Sequence, residues 1–213
     1  YKWFYVKGMI FMPGIFITLE GGEGSGKTTI INAIDNHFKE MGYNTVTTRE
    51  PGGVDIAEQI RSVILNVNNT KMCSETEALL YAAARMQHLH EKVIPALLRD
   101  DVVICDRYID SSLVYQGIDD VLKANCFALN YMPNLTFFID VRPEVGLKRI
   151  EGRDKIDRLD KEAFSFHQNV YNGYKKIAGM YKDRIITIDG ERPSELVVKD
   201  IIKHIDLYLN SRR

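Results

Sequence analysis

The chain has 213 residues, 45% hydrophobic and 27% charged, which suits one sizeable domain with a buried core and a water-compatible surface. A formal net charge of -1 argues against broad electrostatic binding to nucleic acid or to an acidic membrane, and no apolar run is long enough to cross a bilayer. Cys73, Cys105 and Cys126 lie far apart without metal-ligand spacing, so they read as buried small hydrophobes of a reducing, cytoplasmic compartment and not as a disulfide framework.

Residues 1–13 are rich in aromatics and lack both the longer apolar stretch and the small-residue cleavage site of a signal peptide. They read as an extension outside the fold, leaving a single domain over 14–213. Residues 15–19 form a strand candidate, and 28–41 a helix closed by Gly42 in a left-handed cap. A β-rich stretch follows at 44–48. Ile56, Ile60, Val63 and Ile64 recur at helical spacing within 55–65. Ser74 and Glu77 make a capping box for a helix through Ala78, Leu79, Ala82 and Met86. Residues 102–105 and 136–139 are continuous apolar runs, as in strands buried on both faces, with a helix predicted at 121–131 between them. A long helix is predicted at 161–181, a last strand at 184–188, and a final helix capped by Ser194 and reaching about 209. Residues 148–161 are dense in charge, carry Gly152, and read as an exposed flap or lid. Apolar strands alternating with helices predict an α/β fold, a parallel five-stranded sheet covered by helices on both faces. Ligands in such a fold gather beyond the carboxyl ends of the strands.

Between the first strand and the first helix stands Gly21-Gly22-Glu23-Gly24-Ser25-Gly26-Lys27-Thr28, a full match to G-x-x-x-x-G-K-[ST] in the context that motif requires. Glycines let backbone N–H groups converge on phosphate oxygens without β-carbons in the way, and the helix starting near Lys27 adds its positive dipole end. Lys27 then reaches the β- and γ-phosphates of a nucleoside triphosphate, and the Thr28 hydroxyl can ligate Mg²⁺. A glycine-rich turn with a chance lysine is the plain alternative. A phosphate loop does not by itself separate kinases from GTPases, motors or passive binders, but no Asn-Lys-x-Asp element for guanine is present.

The strand at 102–105 runs into Asp106, placed to hold a metal's water shell, and Arg107, which either pairs locally or grips a second phosphate. Further arginines fall on segments facing the same cleft: Arg49 after the second strand, Arg61 and Arg85 on helices, and Arg149, Arg153 and Arg158 in the flap. Singly each is weak evidence. Together around a triphosphate loop they suggest two anionic substrates brought head to head.

Four stretches, in order and at matching spacing, carry a resemblance. Glu20-Gly-Gly-Glu-Gly-Ser-Gly-Lys-Thr-Thr29, Arg49-Glu-Pro-Gly-Gly53, Tyr81-Ala-Ala-Ala-Arg85 and Asp106-Arg-Tyr-Ile-Asp-Ser-Ser-Leu-Val-Tyr-Gln-Gly117 resemble the signatures of bacterial thymidylate kinases. The similarity runs from about residue 15 to the last helix and implies the P-loop kinase fold with a short lid. It implies ATP-dependent phosphorylation of dTMP to dTDP with Mg²⁺, on a homodimer. By resemblance Tyr81, where the family usually has phenylalanine, stacks on thymine; a core tyrosine is its alternative. Arg85 then bonds a thymine carbonyl, Ser111, Ser112, Tyr115 and Gln116 contact base and sugar, and Tyr115 disfavours a ribose hydroxyl. Arg49, Arg61 and Arg107 surround the acceptor phosphate, Glu23 faces the deoxyribose 3′-hydroxyl, and residues 21–29, Thr29 included, bind ATP. The family divides by where its catalytic arginine sits. This chain has Gly24 in the loop position, so it resembles the members that supply the arginine from the lid, with Arg153 as the candidate beside Arg149 and Arg158. Ile118-Asp119-Asp120 departs from the glycine and arginine common after Gly117. The rival readings are a kinase of the same fold for another nucleoside monophosphate, and a nucleotide-binding regulator without turnover.

Overall fold

The computed structural model describes residues 12–151, 158–159 and 163–212, with the backbone alone at 118–120. Five strands, β1 (Ile15–Glu20), β2 (Thr45–Arg49), β3 (Val102–Asp106), β4 (Leu135–Asp140) and β5 (Ile185–Asp189), form one sheet in the order β2-β3-β1-β4-β5. Every pairing is parallel. β1 and β4 are buried along nearly their whole length, which their unbroken apolar runs require, whereas β2 lies at an edge and alternates half-buried with exposed positions.

One face of the sheet packs on α1 (Lys27–Glu40) and α9 (Ser194–Arg212), through Ile30, Ile34 and Phe38 of the first and Val197, Ile201 and Ile205 of the second. On the other face Phe16, Val103 and Cys105 meet Leu89, Val93 and Leu97, which follow α3 (Ser74–His88), together with Ile109 and Leu113 of α5 (Ile109–Tyr115). Phe138 and Ile185 are covered there by Val170, Tyr174 and Ile177 of α8 (Phe164–Met180). The predicted two-sided α/β sheet is therefore present. Gly42, at φ +84°, closes α1 as expected.

Several local expectations differ. α3 continues through a five-residue π-turn stretch, Leu89–Val93, into α4 (Ile94–Leu98). Pro95 has no N–H for the helical ladder, and the wider turn before it carries the chain past the missing bond. The capping box is not formed: Cys73 holds the N-cap position without a side-chain cap bond, and Glu77 is drawn away by Arg158 and Gln116. Residues 121–131 are not one helix but α6 (Ile118–Ala124) and a 3-10 turn, Ala128–Tyr131. Asn125, fully buried, breaks them because its side chain bonds Val121 O and accepts from Arg85. Of the cysteines only Cys105 is buried; Cys73 and Cys126 are exposed, and all three are free.

Lys148 and Arg149 belong to the last turn of α7 (Pro143–Ile150), not to a flap; Gly152, Arg153, Asp157 and Lys161 lie outside the described residues. Met12 packs against the core and the Pro13 carbonyl accepts a bond from Arg212, so the fold takes in these two residues of the 1–13 stretch. Among the described residues no helix is long and apolar enough to cross a membrane.

Candidate active site

The register aligns Leu19 of β1 with Asp106 of β3, and Asp106 with Arg49 of β2. The loops after these strands therefore open at one edge of the sheet, onto a cleft of about 760 Å³. Residues 23–29 of the glycine loop form its middle. Arg49, Arg61, Tyr81, Arg85, Asp106, Arg107, Ser111, Ser112, Tyr115 and Gln116 line it too, with Arg149. Gly21, Gly22 and Arg158 do not lie on its wall.

The loop's shape follows from its glycines. Gly24 and Gly26 have φ of +67° and +90°, which L side chains rarely adopt. A β-carbon on Gly24 would run into the carbonyl of Gly146 on α7, and one on Gly146 into the carbonyl of Glu23. Two glycines thus allow α7 to press on the loop, and no side chain fits at position 24. Gly26, the N-cap of α1, offers no side-chain cap, so the first N–H groups of the helix remain available to an anion at the cleft. Lys27 is buried, and its Nζ donates to Gly21 O, Gly22 O and Ser25 Oγ at 3.1–3.2 Å. Burial lowers its pKa, and the nearby Arg107 adds to that.

Arg107 holds its backbone at φ +67°, a strained setting for a residue other than glycine. Its side chain fixes it there: Nη2 donates to Glu23 Oε1 at 2.6 Å, and Nη1 to Gly21 O at 2.8 Å and to the Tyr174 hydroxyl at 3.0 Å. The pairing reading of this arginine is met by Glu23, and the residue also lines the cleft. The neighbouring Asp106 has a buried Oδ1 with no hydrogen-bond partner. An acceptor-only oxygen at a phosphate loop suits a water of a hydrated Mg²⁺, with Thr28 on the adjoining helical turn. Among the described residues no cluster of His, Cys, Asp or Glu could hold a metal by itself, so such an ion would depend on phosphate oxygens and water.

At the far end of the cleft Arg85 is almost wholly buried. Its Nε donates to Glu50 Oε2 at 2.7 Å, Nη1 to Asn125 Oδ1 at 2.6 Å, and Nη2 to Ser112 Oγ at 2.9 Å and Tyr108 O at 3.3 Å. A guanidinium has five N–H donors, so one on Nη1 is left for a ligand. Tyr81, one turn earlier on α3, is buried at the cleft wall, and burial raises its phenol pKa. Arg49 pairs with Glu58 at 2.7 Å and Arg61 donates to Pro51 O at 2.8 Å. At the opposite end Gly190, Arg192 and Ser194, between β5 and α9, line the same cleft beside Arg149, whose guanidinium donates to Gly190 O at 3.2 Å.

The glycine loop, Asp106-Arg107-Tyr108 at the end of β3 and the arginines of α2 (Asp55–Ile64) and α3 thus meet at one cleft, and comparison with known proteins gives this arrangement its family. A family model described as thymidylate kinase matches residues 19–201. The chain belongs to the thymidylate kinase family. It is 51% identical over 197 residues to a thymidylate kinase of Clostridium novyi, covering 88% of this chain and 96% of that one. It is 51% identical over 204 residues to one of Bacillus velezensis (92% and 96%) and 48% identical over 210 residues to one of Shouchella clausii (94% and 98%).

Against the other residues that this family's motifs mark, Glu20 stands out as one the sequence reading quoted but gave no task. At the end of β1 it is 1% exposed and accepts from Tyr108 N at 2.8 Å, Ser111 Oγ at 2.6 Å and Tyr174 OH at 3.0 Å. Ser111 on the cleft wall is therefore engaged with Glu20, and Ser112 with Arg85. The signal in the sequence was a lone acid ending an apolar strand. Gly190 and Arg192 were missed because a short β–α loop carries no pattern of its own.

Burial, helped by the charge of Asp110, pushes the Glu20 carboxyl up to about 7. An acid that holds its proton more tightly when folded contributes stability that is full below its unfolded pKa, near 4.5, and is lost as pH rises through about 7. The isosteric Glu20→Gln keeps the shape and removes the proton, since the hydroxyls of Ser111 and Tyr174 can rotate to accept from the amide. Urea midpoints at pH 5, 6 and 7.5 should show the parent losing ground to the variant, at up to roughly 1.4 kcal/mol per pH unit. Parallel curves would mean that Glu20 is ionised throughout.

Proposed function

We propose that the protein transfers the γ-phosphoryl group of ATP to dTMP, giving dTDP and ADP. The observation that carries this reading is one continuous cleft with a triphosphate loop at its middle and an arginine-rich pocket for a second anion at one end. Phosphates held at these two places would lie near one another, and phosphoryl transfer asks mainly for positioning and charge neutralisation. The acceptor is already anionic, so no general base is needed. Lys27 and the N–H groups of residues 24–29 hold the β- and γ-phosphates, and Arg153 of the lid meets the transferring group. Arg107, Arg49 and Arg61 receive the acceptor phosphate. Glu23, drawn to Arg107, faces the sugar 3′-hydroxyl. Tyr81 stacks on the base, the spare N–H of Arg85 donates to a base carbonyl, and Tyr115 closes the 2′ side of the sugar. Arg149, Gly190 and Arg192 border the donor nucleoside. Thr28 and, through water, Asp106 hold Mg²⁺, which when bound neutralises phosphate charge. A coupled assay tests the reading: ADP should accumulate only when dTMP and Mg²⁺ are both present. ADP formation indifferent to dTMP would identify a plain nucleotidase or a regulator.

The working form is a homodimer joined through α2 and α3. Ile56 and Val63 on α2, and Leu79 and Met86 on α3, are each a pair seven residues apart, and all four are 44–61% exposed. Such stripes on adjacent helices form one apolar face of the kind that copies of a chain cover. Sedimentation equilibrium should give a dimer at micromolar concentration, and Leu79→Glu should shift it to monomer. A parent that sediments as a monomer overturns this assembly.

A further inference from the structure

A second polar chain reaches the acceptor end of the cleft through Gln116, which the resemblance sets against base and sugar, and through Glu77, which has no task in the reading above. Gln116, just past α5, donates from Nε2 to Glu77 Oε1 at 2.8 Å. The other oxygen of Glu77 is taken by the guanidinium of Arg158, whose Nε is anchored on Ile64 O at 3.0 Å. Glu77, Tyr81 and Arg85 follow one another at four-residue intervals along α3 and so share a face. The remaining polar atom of the Gln116 side chain, Oε1, is buried without a hydrogen-bond partner.

The orientation of a glutamine amide is decided by its neighbours, because its oxygen and nitrogen have nearly the same shape. Here the neighbour is a carboxylate, which only accepts, so the NH₂ group must turn to Glu77 and the carbonyl must turn away from it. Turning the amide over would set its carbonyl against the Glu77 carboxylate and lose the bond. The result is a buried oxygen on the cleft wall that calls for a donor.

We propose that Glu77 is a specificity-determining positioning residue: it locks the Gln116 amide so that only an acceptor faces the base, selecting pyrimidines with an N3–H over those with an N3 lone pair. This rests on the reading that the acceptor base lies against Tyr81 and Arg85. A thymine-type base supplies the missing donor. A cytosine-type base brings a lone pair to a fixed oxygen, and both acceptors are left unpaired in a buried place. Sites built around a ligand's hydrogen bond reject a ligand that cannot make it far more strongly than apolar pockets reject a change of size.

The test compares kcat/KM for dTMP and 5-methyl-dCMP, which differ only at the base edge that Arg85 and Gln116 read. In Glu77→Gln the neighbouring amide can donate or accept, so the Gln116 amide is released to turn. The dTMP preference should narrow by roughly tenfold or more, while the part owed to Arg85 persists. In a Gln116→Ala background the same Glu77→Gln change should leave the ratio where it is, a result that a merely structural role for Glu77 does not produce. Where a variant turns over too slowly, dissociation constants for the two nucleotides give the same ratio, and a melting curve checks folding. An unchanged ratio in Glu77→Gln, or an equal narrowing in the Gln116→Ala background, overturns the proposal with the acceptor reading intact. A parent that phosphorylates neither nucleotide removes the acceptor reading and the proposal with it.

Discussion

Lys27→Ala is expected to bring dTMP phosphorylation close to zero in a protein that still folds. The ammonium is buried among Gly21 O, Gly22 O and Ser25 Oγ, all neutral acceptors. These stand in for the phosphate oxygens it is placed to meet. Its lowered pKa reflects the burial of a charge that has Arg107 nearby and only partial relief from Asp106, Glu23 and Glu20. A cation held in that way is a poor choice for stability alone. It suits a group whose counter-charge arrives with the ligand and grows in the transition state. Losing one such preorganised donor typically lowers kcat by on the order of 10²-fold or more. The fold should tolerate the change, because the loop carbonyls can turn to water. Steady-state rates together with a melting curve give the answer. Near-normal turnover in a folded Lys27→Ala protein would sink the phosphate-loop assignment and the proposed reaction with it.

How far the sequence shows this site depends on the range of the forces involved. The phosphate loop is legible because its glycines answer a local demand of the backbone, and its lysine follows at a fixed interval. β1 and β4 are legible because burial on both faces leaves no polar alternation. Gly146 is not legible: its lack of a side chain matters only because α7 approaches Glu23 more than a hundred residues earlier. Glu20 is opaque for the same reason, its partners Ser111 and Tyr174 being brought to it by the fold. Ile56, Val63, Leu79 and Met86 were misleading in the opposite sense. Their helical spacing predicts an apolar face, and periodicity cannot say whether that face meets the core or another molecule. The capping box failed because Glu77, three residues from Ser74 as the pattern asks, has stronger partners in Arg158 and Gln116.

Arg153→Ala carries the other large expected effect. Most P-loop kinases need a cation on the transferring phosphoryl group beyond the loop lysine, and it can be worth roughly 10³ in rate. Position 24 cannot supply it, since any β-carbon there collides with Gly146. Of the remaining lid candidates, Arg149 is tied to Gly190 O and Arg158 to Ile64 O and Glu77. Both are already fastened, one at the donor end of the cleft and the other to α2 and α3. Ile150 and Leu159, next to those anchors, line the cleft in which the transfer is proposed to occur. An arginine delivered there acts mainly as charge redistributes. Arg153→Ala should therefore lower kcat and kcat/KM together, with little change in dTMP affinity by calorimetry. Arg153→Lys should restore only part of the rate, because a point charge does not reproduce the planar fork. Arg149→Ala and Arg158→Ala are the controls, and a larger loss in either would move the catalytic task to that residue. If all three variants turn over like the parent, catalysis draws no cation from the lid.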